Sequence, residues 1–148
     1  MKTFFKIFLA IALVSTFGFV AFADRHISTN DLPNEAKAFI NTHYNGVDVY
    51  DCEIDDFNYD VDLSNGVDLV FNKSGKLLKI ESDHGVLSQS VLKSVLPAKA
   101  IEYLTTKGLV DRIDEVELRQ NTIVVDINNS NDQEIRFNLD GTLRTSRR

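Results

Sequence analysis

The chain has 148 residues with 22 Asp and Glu against 16 Lys and Arg, three His, a single Cys and no Trp, for a net charge of −6. An acidic balance without a Lys/Arg cluster excludes the electrostatic footprint of a nucleic-acid binder or of a protein held on anionic lipid. One cysteine excludes an intrachain disulfide, so the apolar core must hold the fold together.

The first segment, MKTFFKIFLAIALVSTFGFVAFAD, carries Lys2 and Lys6, an uncharged and mostly apolar run over residues 7–20, and Ala21-Phe22-Ala23. A basic start, an apolar run short of a comfortable bilayer span and an A-x-A end predict a signal peptide over residues 1–23, cleaved after Ala23. The expected mature chain is periplasmic or secreted, without membrane insertion. Its 125 residues suffice for one compact domain.

Beyond that point the chain repeats itself. A shift of 64 residues places LPNEAKAFI (32–40) on LPAKAIEYL (96–104), so that Leu32, Pro33, Ala36, Phe39 and Ile40 meet Leu96, Pro97, Ala100, Tyr103 and Leu104. The same shift puts Glu53 on Glu117 and VDLSN (61–65) on VDINN (125–129). Two extra residues then move the shift to 66, and FNKSGKL (71–77) meets FNLDGTL (137–143). Matches kept in order with one short insertion identify a tandem duplication, with repeats over residues 24–84 and 85–148.

Each repeat opens with a helix. Pro33 and Pro97 are predicted at the first helical position, where a missing N–H costs nothing. Ala36, Phe39, Ile40 and His43/Tyr44 follow at helical spacing, as do Ala100, Tyr103 and Leu104. YNG (44–46) and TKG (106–108) supply glycine stops. LSQSVLKSV (87–95) reads as an additional helical segment, and ISTND (27–31) as its shorter counterpart.

The period then changes to two. Tyr50, Cys52 and Ile54 alternate with Asp51, Glu53 and Asp55, and Phe57, Tyr59, Val61 and Leu63 alternate with Asn58, Asp60, Asp62 and Ser64. SNG (64–66) predicts a tight Asn-Gly hairpin turn of type I′. Val67, Leu69 and Phe71 continue, KSG (73–75) turns again, and Leu78 with Ile80 end a fourth strand. The second repeat follows suit through Val116/Leu118, Ile123/Val125/Ile127, Ile135/Phe137 and Leu143. The expected class is α+β, each unit packing one or two helices on the apolar face of a four-stranded antiparallel sheet.

The acidic stretch DCEIDDFNYDVDLSNG (51–66) asks whether it binds a cation. Asp56-x-Asn58-x-Asp60 imitates the start of an EF-hand loop. Val61 stands where a glycine must turn, however, and Val67 where a glutamate must close the cage. Nor does the second repeat keep these acids: Asp55, Asp56, Asn58 and Asp60 fall on Arg119, Gln120, Thr122 and Val124. His26, His43 and His84 lie far apart without zinc-ligand spacing, so no metal site is expected.

No cofactor or catalytic motif is present, whether nucleophile elbow, phosphate loop or H-E-x-x-H. Carboxylates along an open sheet face are solvated and do not divide into acid and base. Cys52 shares strand phase with its apolar neighbours and reads as an inert core residue, and His43 as a helix-end residue. The expectation is a protein that is not an enzyme.

One asymmetry stands out. Residues 24–83 carry 13 acids against 5 bases, whereas residues 84–148 carry 9 of each. The acids gather on one predicted sheet face as Asp51, Glu53, Asp55, Asp60, Asp62 and Asp68. That face is the candidate surface for a protein or peptide partner of basic character, by charge complementarity. Divalent cations, calcium first, are its alternative ligand, and solubility is its plain structural role.

The duplicated pattern, LP-x-x-A-x-x-[FY]-[IL] followed by V-D-[LI]-x-N and F-N-x-x-G-x-L, resembles the PepSY-like family. Those are exported bacterial proteins, common in Bacteroidota, likened to β-lactamase inhibitor proteins. The resemblance implies paired α/β units, a sheet surface that receives a partner, and an inhibitor-like, non-enzymatic role. Unlike the β-lactamase inhibitor protein, this chain has no cysteine pair. That protein's enzyme-contacting residues find no match here, so β-lactamase inhibition is not carried over.

Overall fold

Period-two patterning becomes one antiparallel sheet of eight strands in sequence order: β1 (Arg25–His26), β2 (Val49–Ile54), β3 (Asn58–Leu63), β4 (Val67–Asn72), β5 (Leu77–Ser82), β6 (Ile113–Leu118), β7 (Ile123–Ile127) and β8 (Gln133–Phe137). Helices α1 (Asn34–His43), α2 (Gln89–Val95) and α3 (Ala98–Thr106) supply the cover. The structure, a computed structural model, describes residues 25–55, 57–128 and 133–144. The expected export segment (1–23), Asp56, the residues inserted in the second repeat and the basic tail after Arg144 lie outside the described residues.

The core is one cluster between the helices and one face of the sheet. Alternate residues of the strands enter it, among them Cys52, Val61, Leu69, Phe71, Ile80, Val116, Val125 and Phe137, and the helices add Ala36, Ile40, Leu92, Ala100 and Leu104. Burying a large apolar side chain stabilises by about 1.5–3 kcal/mol, so this shared stripe is the main source of stability.

The duplication is visible in matching environments. Val61 and Val125 are both fully buried, as are Phe71 and Phe137. Phe39 of α1 meets Phe71 edge-on at 5.9 Å and 71°, and Tyr103 of α3 meets Phe137 at 5.7 Å and 77°. The two sheet segments do not stay apart. Strand β5 pairs with β6 through Lys79↔Glu117, Ile80↔Val116 and Glu81↔Glu115, so the repeats share one continuous sheet.

Several expectations shift in detail. Pro33 and Pro97 sit one residue earlier, at the N-caps of α1 and α3, in extended conformation. The hairpin after β3 is not the two-residue turn. Leu63 O accepts the Gly66 N–H at 3.0 Å and Gly66 takes φ 75°, which makes a three-residue loop closed by a left-handed glycine. A bulge between Val49 and Asp51 moves Tyr50 out of the apolar phase, leaving it 83% exposed while Val49 packs on the core. A second irregularity pairs Phe71 with Leu77, which is buried in place of Leu78. Phe57 precedes β3 and is exposed. Leu143 makes only an isolated bridge to Phe137. The segment before α1 forms a 3-10 turn, Thr29–Asp31, where the second repeat has α2.

Helix and sheet approach closely at two equivalent glycines. Gly75 (φ 91°) and Gly141 (φ 82°) follow β4 and β8, and a Cβ on either would lie 2.8 Å from Pro33 Cβ or Pro97 Cβ and 2.9 Å from the Ala36 or Ala100 nitrogen. Left-handed backbone and a backbone-lined contact both demand glycine. Gly75→Ala and Gly141→Ala are each expected to cost about 2 kcal/mol or more in urea denaturation, by similar amounts in the two repeats.

Candidate functional site

The helices cover one face of the sheet and leave the other to solvent. Of the six acids expected there, Asp51, Glu53, Asp60, Asp62 and Asp68 alternate outward from the buried set on β2, β3 and β4. Asp55 does not belong with them. It lies in the turn after β2, where its Oδ1 accepts the Phe57 and Asn58 N–H groups at 2.7 and 2.6 Å. An aspartate that caps its own turn in this way serves the backbone.

Register turns scattered acids into a row. Asp51 lies opposite Asp62, Asp62 opposite Asp68, Asp68 opposite Glu81, Glu81 opposite Glu115, Glu115 opposite Asp126, and Asp126 opposite Glu134. Seven successive strands thus each contribute one carboxylate to a line that crosses both repeats. Neighbouring strands lie about 4.8 Å apart, so like charges meet at the closest cross-strand spacing a sheet offers.

Sequence reading placed the acidic face on the first repeat alone and missed Glu81, Glu115, Asp126 and Glu134. The signal was available. The shifts that define the duplication carry Asp51, Glu53, Asp62 and Asp68 onto Glu115, Glu117, Asp126 and Glu134. Net charge hid this, because basic residues accompany the acids in the second repeat.

The row is partly neutralised. Lys79 Nζ lies 2.6 Å from Glu81 and 3.2 Å from Glu115, and Arg136 pairs with Glu134. Asp62, Asp68 and Asp126 make no ion pair among the described residues. Burial, and after it neighbouring carboxylates, raise Asp68 and Asp126 above the ordinary carboxylate value, and burial raises Glu115 despite the opposing Lys79 contact. Beside the row, an Arg119 hydrogen bond lowers Glu117. Some stability is therefore given up to keep these charges together.

At the β1 end, His26 Nδ1 lies 2.9 Å from Asp51 Oδ1 and 3.3 Å from Glu53 Oε1. Ligand atoms of the three side chains all lie within 4.8 Å of one another. The hydrogen bond to Asp51 and both negative charges raise the His26 pKa. Cys52, on the other face, is buried, and burial pushes its thiol up to about 11, which disfavours a nucleophilic thiolate. His43 ends α1 with its ring 4.6 Å from that of Phe39.

A helix-covered sheet built from two copies of one unit is matched by the family described as "Putative beta-lactamase-inhibitor-like, PepSY-like", over residues 21–79 and 86–145. This chain belongs to the PepSY-like family. Among solved structures it is similar to a "putative calcium-regulated periplasmic protein" from Bacteroides thetaiotaomicron, at 25% identity and TM-score 0.70, covering 82% of this chain and 94% of that one. It is also similar to a putative periplasmic protein of the DUF2874 family from Bacteroides vulgatus, at 27% identity and TM-score 0.70, covering 84% and 97%. A further periplasmic protein of unknown function from that species, at 21% identity, TM-score 0.69 and coverage of 83% and 98%, shares the fold. Comparison with curated proteins finds no match. Among the described residues no helix is long and apolar enough to cross a membrane.

The raised acids make a signed forecast. A carboxyl held high in the folded state binds its proton more tightly there than in the unfolded chain. Its contribution therefore falls as pH rises from about 4, the unfolded value, through the folded one. Asp68→Asn is expected to raise stability at pH 7 by about 0.5 kcal/mol. The gain should shrink in acid and in molar NaCl, as urea denaturation under each condition will reveal.

Proposed function

We propose that this protein is an exported, non-enzymatic binding module that recognises a basic protein or peptide segment through the carboxylate row on its open sheet face. The observation that carries the reading is the in-register line of seven acids, continuous across both repeats. Like charges set directly opposite one another destabilise a sheet, and solubility alone needs no such alignment. A linear field of one sign would instead steer and orient an extended partner whose lysines and arginines follow the row. Family membership supports a binding role, and the periplasmic description of the relatives supports location in that compartment. The signal peptide over residues 1–23 and its cleavage after Ala23 belong to this reading. So does an inhibitor-like mode in which the sheet face receives the partner.

The test uses the three acids of the row that make no ion pair among the described residues. Fluorescence anisotropy with a labelled octalysine peptide should give binding that weakens steeply with NaCl and is lost in the Asp62→Lys/Asp68→Lys/Asp126→Lys variant. Equal binding by the variant, with its fold intact by circular dichroism, would remove the row from the recognition surface.

Calcium is the second reading, favoured by carboxylates in strand-to-strand contact and by the description of the B. thetaiotaomicron relative as calcium-regulated. Two facing carboxylates fall short of the 6–8 oxygens that calcium takes, so water would complete its shell and binding would be weak. Millimolar CaCl2 is then expected to raise the melting temperature beyond a NaCl control of equal ionic strength, by relieving repulsion in the row. A melting temperature identical to the NaCl control discards this reading.

A further inference from the structure

We propose that His26, Asp51 and Glu53 form a binding site for a borderline divalent transition-metal ion, with zinc as its representative, which fastens strand β1 to the sheet. The three side chains come from two strands whose register places His26 directly across from Glu53, with Asp51 two residues back on the same outward face of β2. Imidazole Nδ1 stands 2.9 and 3.3 Å from the two carboxylate oxygens. Ligands bound to zinc at about 2.0–2.1 Å in tetrahedral geometry lie about 3.3 Å from one another, so the His26–Glu53 distance already matches the coordinated state and the hydrogen-bonded His26–Asp51 contact has only to open by about 0.4 Å. The Asp51 carboxylate is held in place, because its Oδ1 also accepts the Cys52 N–H at 2.7 Å. Three protein ligands leave a fourth position open to water.

Comparison between the repeats supplies the second, independent argument. The shift of 64 carries Asp51 and Glu53 onto Glu115 and Glu117. Strand β5 lies against β6 as β1 lies against β2, and Lys79 faces Glu117 as His26 faces Glu53. In the second repeat the cation is therefore built into the chain: Lys79 contacts Glu115 and Arg119 pairs with Glu117. The first repeat keeps both carboxylates but places histidine where lysine stands, and Asp55 where Arg119 stands. Among the described residues, His26 alone pairs with Asp51 and Glu53. A position held by an ammonium group in one copy is held in the other by a group that binds metal ions.

The donor set decides the class of ion. Calcium and magnesium select oxygen donors, whereas an imidazole with two carboxylates suits zinc and its neighbours. The ion would join a strand of only two residues to β2, where Ile27 N donates to Cys52 O at 2.9 Å. A metal-dependent tightening of that edge is the physical consequence.

Calorimetric titration of ZnCl2 into the purified protein is expected to show one site per chain that CaCl2 does not fill. His26→Ala and Glu53→Gln should each weaken it by about a hundredfold or more. Lys79→Met should leave it intact. Hydrogen exchange at the Ile27 amide should slow on zinc addition in the native chain and not in His26→Ala. These side chains are solvent-facing, so matching melting curves without metal will establish that the variants are folded. Absence of a zinc site, zinc binding unchanged by His26→Ala, or binding that needs His26 but neither carboxylate would each overturn the proposal. The Asp62/Asp68/Asp126 variant keeps all three ligands, so zinc binding and octalysine binding can fail separately.

Discussion

Ile80 on β5 and Val116 on β6 face each other at the seam between the repeats, both fully buried, and this pairing governs most of what the molecule is. Either repeat alone would end in an open strand edge above half a core. Joining β5 to β6 satisfies both edges with backbone hydrogen bonds and merges two apolar stripes into one cluster beneath the helices. The seam also fixes register on the opposite face, because side chains alternate strictly across a strand. Once Ile80 meets Val116, Glu81 must meet Glu115, and two short lines of acids become one long one.

A single pairing therefore links stability to surface chemistry. Apolar burial drives the assembly, and the charge row is carried with it at some cost, since Asp68, Glu115 and Asp126 are all disfavoured in their ionised form. The two copies manage this cost differently. Lys79 and Arg119 neutralise acids of the second repeat from within the chain, while among the described residues His26 is the sole ion-pair partner of Asp51 and Glu53 in the first. Duplication preserved the core and left the outer face free to diverge.

Much of the fold could be read from residues because its determinants are local. Helical spacing around Ala36 and Ala100, alternation through Val61 and Val125, and the glycine stops all act over a few positions, and the repeated motifs doubled the signal. The family pattern was legible for the same reason. What escaped was whatever depends on the meeting of distant segments. Tyr50 was assigned to the core because no local cue marks the bulge that turns it outward. Glu81, Glu115, Asp126 and Glu134 went unseen as part of the face because net charge is a sum, and sums conceal position. His26 lies 25 residues from Asp51, and only strand pairing brings them together.

The place of β1 has one more consequence. Against β2 it sits where β5 sits against β6, but with two residues in place of six. Among the described residues, β1 and the Ile27 amide engage β2 from Cys52 to Ile54. Even so short a cover blunts that end of the sheet, because a stray strand would have to displace it before pairing there.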